Sequence, residues 1–138
     1  VIPSLMMKIR RGDDPVSVWG DGSAVRDFAY SEDVAEGIIS AAELGTRGSF
    51  VNLGSGRGYS VAELVSTLQQ FLDFNVEFDT SKPSGFPKRV MDISRAEEWL
   101  GYSPKTSLRE GLEKTWDWFI QNENEYLKKK NYFTEENS

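Results

Sequence analysis

The sequence predicts an α/β fold with α+β character, in which a few short strands alternate with amphipathic helices. Three observations carry that expectation. Ser-x-x-Glu capping boxes precede apolar helical patterns at Ser60 with Glu63, Ser94 with Glu97 and Ser107 with Glu110. Short strand-like runs at residues 16–19 and 76–78 fall between the helical stretches. A length of 138 residues, 38% of them hydrophobic, suits one domain with its own core.

The elements follow in order. Ile2, Leu5, Met6 and Ile9 mark the apolar face of an opening helix that ends near Gly12. Residues 16–19 alternate as a strand, and Gly20-Asp-Gly22 turns the chain into a second strand running through Phe28 and Tyr30. Ser31 is placed to cap a helix over 32–44, with Glu32 and Asp33 favourable in its first turn. A third strand is expected at 50–53, before the Gly54-Ser-Gly56 loop. The three capping boxes then open a helix to about Leu72, a short helix stopped by Gly101 and Pro104, and a helix to about Asn122. That last helix carries Leu108, Leu112, Trp116 and Phe119 at helical spacing, and residues 76–78 supply a fourth strand. Trp99, Trp116, Trp118 and Tyr102 are read as core or subunit contacts, and residues 134–138 are expected to fray.

Composition narrows the function. A formal net charge of −6 argues against nucleic acid as a partner, although two or three cations suffice for phosphate at one local pocket. With no cysteine and no histidine there is no thiol nucleophile, no disulfide and none of the usual zinc ligands. The apolar run over 1–7 is broken by Pro3 and Ser4 and is too short to span a bilayer, so no membrane partner and a cytoplasmic location are expected. A start at Val1 instead of methionine leads us to expect a fragment or a processed product.

Two segments concentrate chemistry. In Trp19-Gly-Asp-Gly-Ser-Ala-Val-Arg-Asp-Phe28, Arg26 follows a glycine turn. It is an ordinary solvated residue, one paired to Asp27 or Glu32, or a planar fork that grips phosphate bidentately. In Ser81-Lys-Pro-Ser-Gly-Phe-Pro-Lys-Arg89, two prolines stiffen a loop that carries three cations. It reads as a solvated linker or as a substrate clamp, with Phe86 as a partial lid. Trp19, at the end of an apolar strand, is a core residue first and a sugar-stacking platform second. The 52–56 stretch resembles an anion-binding turn but matches neither common phosphate-loop pattern, so a tight strand-to-helix turn is the simpler reading. Asp27, Glu32 and Asp33 cluster without forming a convincing acid–base pair, because helix capping accounts for Glu32 and Asp33.

Taken in order, these motifs resemble the C-terminal half of an extended short-chain dehydrogenase/reductase, the NAD-dependent epimerase/dehydratase family. The resemblance rests on Trp19-Gly-Asp-Gly-Ser-x-x-Arg-Asp-Phe28, Ala29-Tyr-x-x-Asp33-Val-Ala35 and Asn52-Leu-Gly-Ser-Gly56. It continues through Asp92-Ile-Ser-Arg-Ala96, Leu100-Gly-Tyr-x-Pro104 and Leu108-x-x-Gly-Leu112, so that it covers residues 1–122. Within the family, residues 1–3, 18–20 and the loop over 78–89 are similar to the GDP-4-keto-6-deoxymannose epimerase/reductases, the GDP-L-fucose synthases.

That resemblance implies a small substrate-binding domain at 1–122 and a polar C-terminal tail at 123–138, with most of a Rossmann domain lacking. It implies that Arg26 and Arg89 contact a nucleotide diphosphate, that Lys8 adds a cation there, and that Trp19 lies near the substrate. The ligand implied is a nucleotide-sugar, with a GDP-sugar favoured, and the partners are the missing N-terminal Rossmann domain and a second copy in a homodimer. Family members use a Cys/His pair, a Ser/Tyr/Lys set and NADP, none of which this chain supplies. The family's catalytic histidine falls just before Val1. The chain alone is therefore expected to be silent, with no cofactor of its own and NADP bound by the parent. The rival readings are a fragment of a UDP-sugar 4-epimerase or decarboxylase, and a non-catalytic module for nucleotide-sugar binding or protein interaction.

Overall fold

A computed structural model describes residues 1–128. In chain order they form helix α1 (Ile2–Arg11), strands β1 (Val16–Trp19) and β2 (Val25–Asp27), helix α2 (Ser31–Leu44), strand β3 (Gly58–Ser60) and helix α3 (Val61–Leu68). Strands β4 (Val76–Asp79) and β5 (Lys88–Arg89) follow, then helices α4 (Ser94–Leu100), α5 (Leu108–Gln121) and α6 (Glu123–Lys128). This is the mixed α/β architecture expected from the sequence.

Helix α1 stops where Gly12 turns left-handed at φ 79°, its N–H returning to the Ile9 carbonyl. The apolar face of α1 presses Leu5 and Met6 onto β1, where Val16 and Val18 are buried. Strand β1 pairs in parallel with β4, from Val16 opposite Val76 to Trp19 opposite Asp79. Strand β2 lies between β3, antiparallel, and β5, parallel, in a separate sheet ordered β3-β2-β5. Leu64, Val65 and Leu68 of α3 and Leu112 and Phe119 of α5 complete the main core. Each buried leucine there contributes about 2 kcal/mol through area removed from water. A smaller cluster of Ile93, Ala96, Leu100 and Tyr102 packs with Val51, Leu53 and Ala41.

Several elements differ from the sequence expectation. Residues 50–53 are not a strand: among the described residues they have no ladder partner, and apolar character alone cannot satisfy a strand's N–H and C=O groups. Two strands went unforeseen, β3 and β5, because they are short and polar and have no alternation to read. The second strand ends at Asp27, before Phe28 and Tyr30, and α3 ends at Leu68, before Leu72.

The caps divide three ways. Ser60 and Glu63 form the full reciprocal box. Ser107 accepts from the Glu110 N–H, which is half of one. Ser94 and Ser31 instead sit inside the first turns of α4 and α2, and in α4 the Asp92 carboxylate accepts the Ser94 N–H. The stretch read as a polar tail from 123 begins as α6. There Tyr126 packs edge-on against Phe119, with ring centroids 5.4 Å apart, and Glu123 pairs with Arg10. Residues 134–138, expected to fray, lie outside the described residues.

Candidate functional site

The site is built on the end of β1 and the turn after it. Gly20 and Gly22 both hold positive φ, 85° and 79°, and both are pressed from outside. A Cβ on Gly20 would lie 2.6 Å from the Ser84 hydroxyl, and one on Gly22 would lie 2.7 Å from the Phe78 ring. Between them the Asp21 carboxylate accepts the Ser23 N–H and hydroxyl, and the Ser23 hydroxyl above all holds it below the usual carboxylate range. Its oxygen is thereby committed to the turn.

This turn opens onto a cavity of about 520 Å³, lined by Lys8, Ser17, Trp19, Arg26, Pro83 and Ser84 among others. That volume is within the range of small-ligand sites. Trp19 is 63% exposed, so the core reading fails and the indole is available at the cavity wall. Strand β1 ends there, and the Lys82 ammonium stands 5.9 Å from the ring centroid. Lys8, half-buried on α1, donates to the Ser17 carbonyl at 2.6 Å and is thereby anchored at the cavity edge.

Arg26 sits on β2, half-buried, and no ion pair with Asp27 or Glu32 forms. Its Nη1 donates to its neighbour's carbonyl, Val25, and across the sheet to the Phe86 carbonyl, each at 2.7 Å. The Nε–Nη2 edge makes no hydrogen bond among the described residues, leaving a fork of the kind that takes two phosphate oxygens. Arg89 is the register partner of Arg26 across the parallel β2–β5 pair, which puts both side chains on one face of the sheet. It is exposed, does not line the cavity, and stacks over the Phe86 ring at 4.2 Å. Three of the four expected site residues thus meet at one cavity, and the fourth stands beside Arg26 at its margin.

Asp27 explains why this geometry holds. Its two oxygens accept the Ser55 N–H at 2.8 Å, the Ser55 hydroxyl at 2.6 Å, the Gly56 N–H at 3.1 Å and the Met91 N–H at 3.2 Å. The turn at 54–56 is therefore an anion-binding turn filled by the protein's own carboxylate. A dinucleotide phosphate does not fit there, because the N–H groups it would need are already taken. No cofactor chemistry can be routed through this loop. Sequence reading missed this role, since a carboxylate 28 positions away carries no local signal.

Asp33, 6% exposed, accepts the Lys105 and Thr106 N–H groups at 3.2 and 3.0 Å, tying α2 to the chain ahead of α5. Burial pushes its carboxyl up, but the backbone N–H groups of Thr106 and Lys105 outweigh that and hold it below the ordinary range. It is therefore a structural anion and not simply the first-turn residue that capping suggested. Tyr102, also buried, donates to the Gly54 carbonyl at 2.9 Å.

Residues 1–54 match the NAD dependent epimerase/dehydratase family. Across 93% of this chain the fold superposes on epimerase Mth375 of Methanothermobacter thermautotrophicus with a TM-score of 0.82 and 28% identity, covering 39% of that structure. The match to this family covers the N-terminal part of the chain. Its fold is that of part of an extended short-chain dehydrogenase/reductase. It is similar to GDP-L-fucose synthase 1 of Arabidopsis thaliana, with 34% identity over 128 residues, which is 88% of this chain and 39% of that one. It is also similar to the UDP-glucuronic acid 4-epimerase of Bacillus cereus, solved with UDP-glucuronic acid and NAD. There the TM-score is 0.75 and identity 31%, over 87% of this chain and 39% of that structure. The chain thus spans about two fifths of the length of the relatives it matches.

Proposed function

We propose that this chain is the substrate-binding portion of a cytoplasmic nucleotide-sugar epimerase/reductase. In this reading it holds a GDP-sugar, the GDP-4-keto-6-deoxymannose that becomes GDP-L-fucose. The observation that carries the reading is the Arg26 fork, open beside a cavity that Lys8 and Trp19 also line, with Arg89 in register at its margin. Arg26 grips the diphosphate bidentately, Lys8 and Arg89 supplement its charge, and Trp19 offers its face to a ring of the ligand. The likeness to GDP-L-fucose synthases supports the guanine nucleotide.

The hydride and proton chemistry belongs, in this reading, to a Rossmann half that binds NADP. Ile38, Ile39, Leu44 and Phe50 are exposed on and after α2, an apolar face that such a half, or a second copy in a homodimer, would cover. This chain by itself then binds without turnover. A second reading, a UDP-sugar 4-epimerase, is favoured by the likeness to the Bacillus cereus enzyme. Calorimetric titration with GDP and UDP separates the two: tighter binding of GDP supports the first, and a preference for UDP supports the second. Turnover of the keto-sugar by this chain without a partner would contradict the division of labour.

A further inference from the structure

The 81–89 loop is exposed along its entire length, yet it is fastened to the body by the residues that form the candidate site. Its ends are set by backbone bonds: the Lys82 N–H reaches the Asp79 carbonyl, and the Val25 N–H reaches the Pro87 carbonyl. Between those points the backbone N–H groups of Ser84, Gly85 and Phe86 donate to no protein acceptor among the described residues. What holds this middle is the Arg26 bond to the Phe86 carbonyl, the Arg89 stack on the Phe86 ring, a long bond of 3.4 Å from the Ser84 hydroxyl to the Asp21 carboxylate, and the close approach of Ser84 to Gly20. Pro83 and Ser84 meanwhile form part of the cavity wall.

We propose that residues 82–86 are a strap over the cavity and that Arg26 couples its position to the bound anion. The inference rests on the nucleotide-binding reading above and deepens it. One guanidinium serves both partners at once, Nη1 on the strap carbonyl and the Nε–Nη2 edge on the phosphates. Anion binding fixes the Arg26 rotamer and so tightens the strap, and a fixed strap pre-orients Arg26 for the anion. Linkage makes the two effects equal in size. Lysine at 26 keeps the charge but lacks the planar fork that engages both sides. Pro83 and Pro87 limit the strap's freedom before binding, so that less conformational freedom is lost on closure.

Hydrogen exchange of the full chain with and without GDP tests this, because the N–H groups of Ser84, Gly85 and Phe86 are free to report. Exchange at these three is expected to slow about tenfold at saturating GDP, a typical size for coupled sites. In Arg26→Lys, saturated at higher GDP, the slowing is expected to vanish. In Pro83→Gly, which leaves every cation in place, GDP affinity is expected to fall about fivefold. If GDP binds and exchange at 84–86 does not change, the strap is idle and this inference falls while the binding reading stands. If GDP fails to bind at all, both fall.

Discussion

Arg26 and Arg89 are register partners in the parallel β2–β5 pair, so two cationic side chains leave one sheet face from backbone positions a single strand spacing apart. Like charges so close repel unless an anion lies between or beside them, and neither residue has a carboxylate partner among the described ion pairs. They differ in burial, Arg26 half-covered and Arg89 exposed, and that difference ranks them. Replacing Arg26 by Ala should weaken GDP binding about 10- to 150-fold, the loss of charge-assisted hydrogen bonds worth about 1.5–3 kcal/mol. Replacing Arg89 by Ala should cost about threefold, and that loss should disappear in high salt. Calorimetry at two salt concentrations checks both, and equal losses at the two positions would overturn the ranking.

Asp27 fixes the platform on which that pair stands. Asp27→Ala would remove four hydrogen bonds to two other segments, two of them partly buried, and the expected loss of folding stability is about 3 kcal/mol. Asp27→Asn keeps one acceptor oxygen and should lose roughly half as much. Urea unfolding measures both. If the alanine variant is as stable as the parent, the 54–56 loop does not depend on this carboxylate.

Asp33 makes stability depend on pH in a definite direction. Its carboxyl is held below the ordinary range in the folded chain, so its contribution is full above the unfolded pKa and fades as pH falls through the folded one. Asp33→Asn should therefore be less stable by about 1.5 kcal/mol at neutral pH, with the gap closing below about pH 4. Unfolding curves of both proteins at pH 7 and pH 3 give the comparison. A gap of constant size would mean that the negative charge is not what the Thr106 and Lys105 N–H groups require.

Gly37 lies in the middle of α2 against Leu53 and the Tyr102 ring, where an added Cβ would approach to 2.7 and 2.9 Å. Alanine improves helix propensity by about 1 kcal/mol, but overpacking costs about 1–3 kcal/mol, and the aromatic ring cannot yield without moving its hydroxyl from Gly54. Gly37→Ala is expected to lower the melting temperature by several degrees. A rise would show that Tyr102 can shift freely.

The capping boxes and the apolar spacing of α1, α3 and α5 made the helices legible, because helix signals are local. The strands were less so. Residues 50–53 are as apolar as a strand but lack a ladder, and β3 and β5 are strands because β2 offers them one. The cluster of Lys8, Trp19 and Arg26 could be expected from motif order, whereas its supports could not. Asp27 reaches Met91 and Arg26 reaches Phe86 across 64 and 60 positions, distances over which sequence periodicity carries nothing.

The central claim is that this chain carries a nucleotide diphosphate site centred on Arg26. Titrating GDP into the wild-type chain and into a folded Arg26→Ala variant tests it most directly. Saturable binding by the wild type, weakened at least tenfold in a variant that still unfolds cooperatively, is the expected result. Equal binding by both proteins, or none by the wild type, would contradict it.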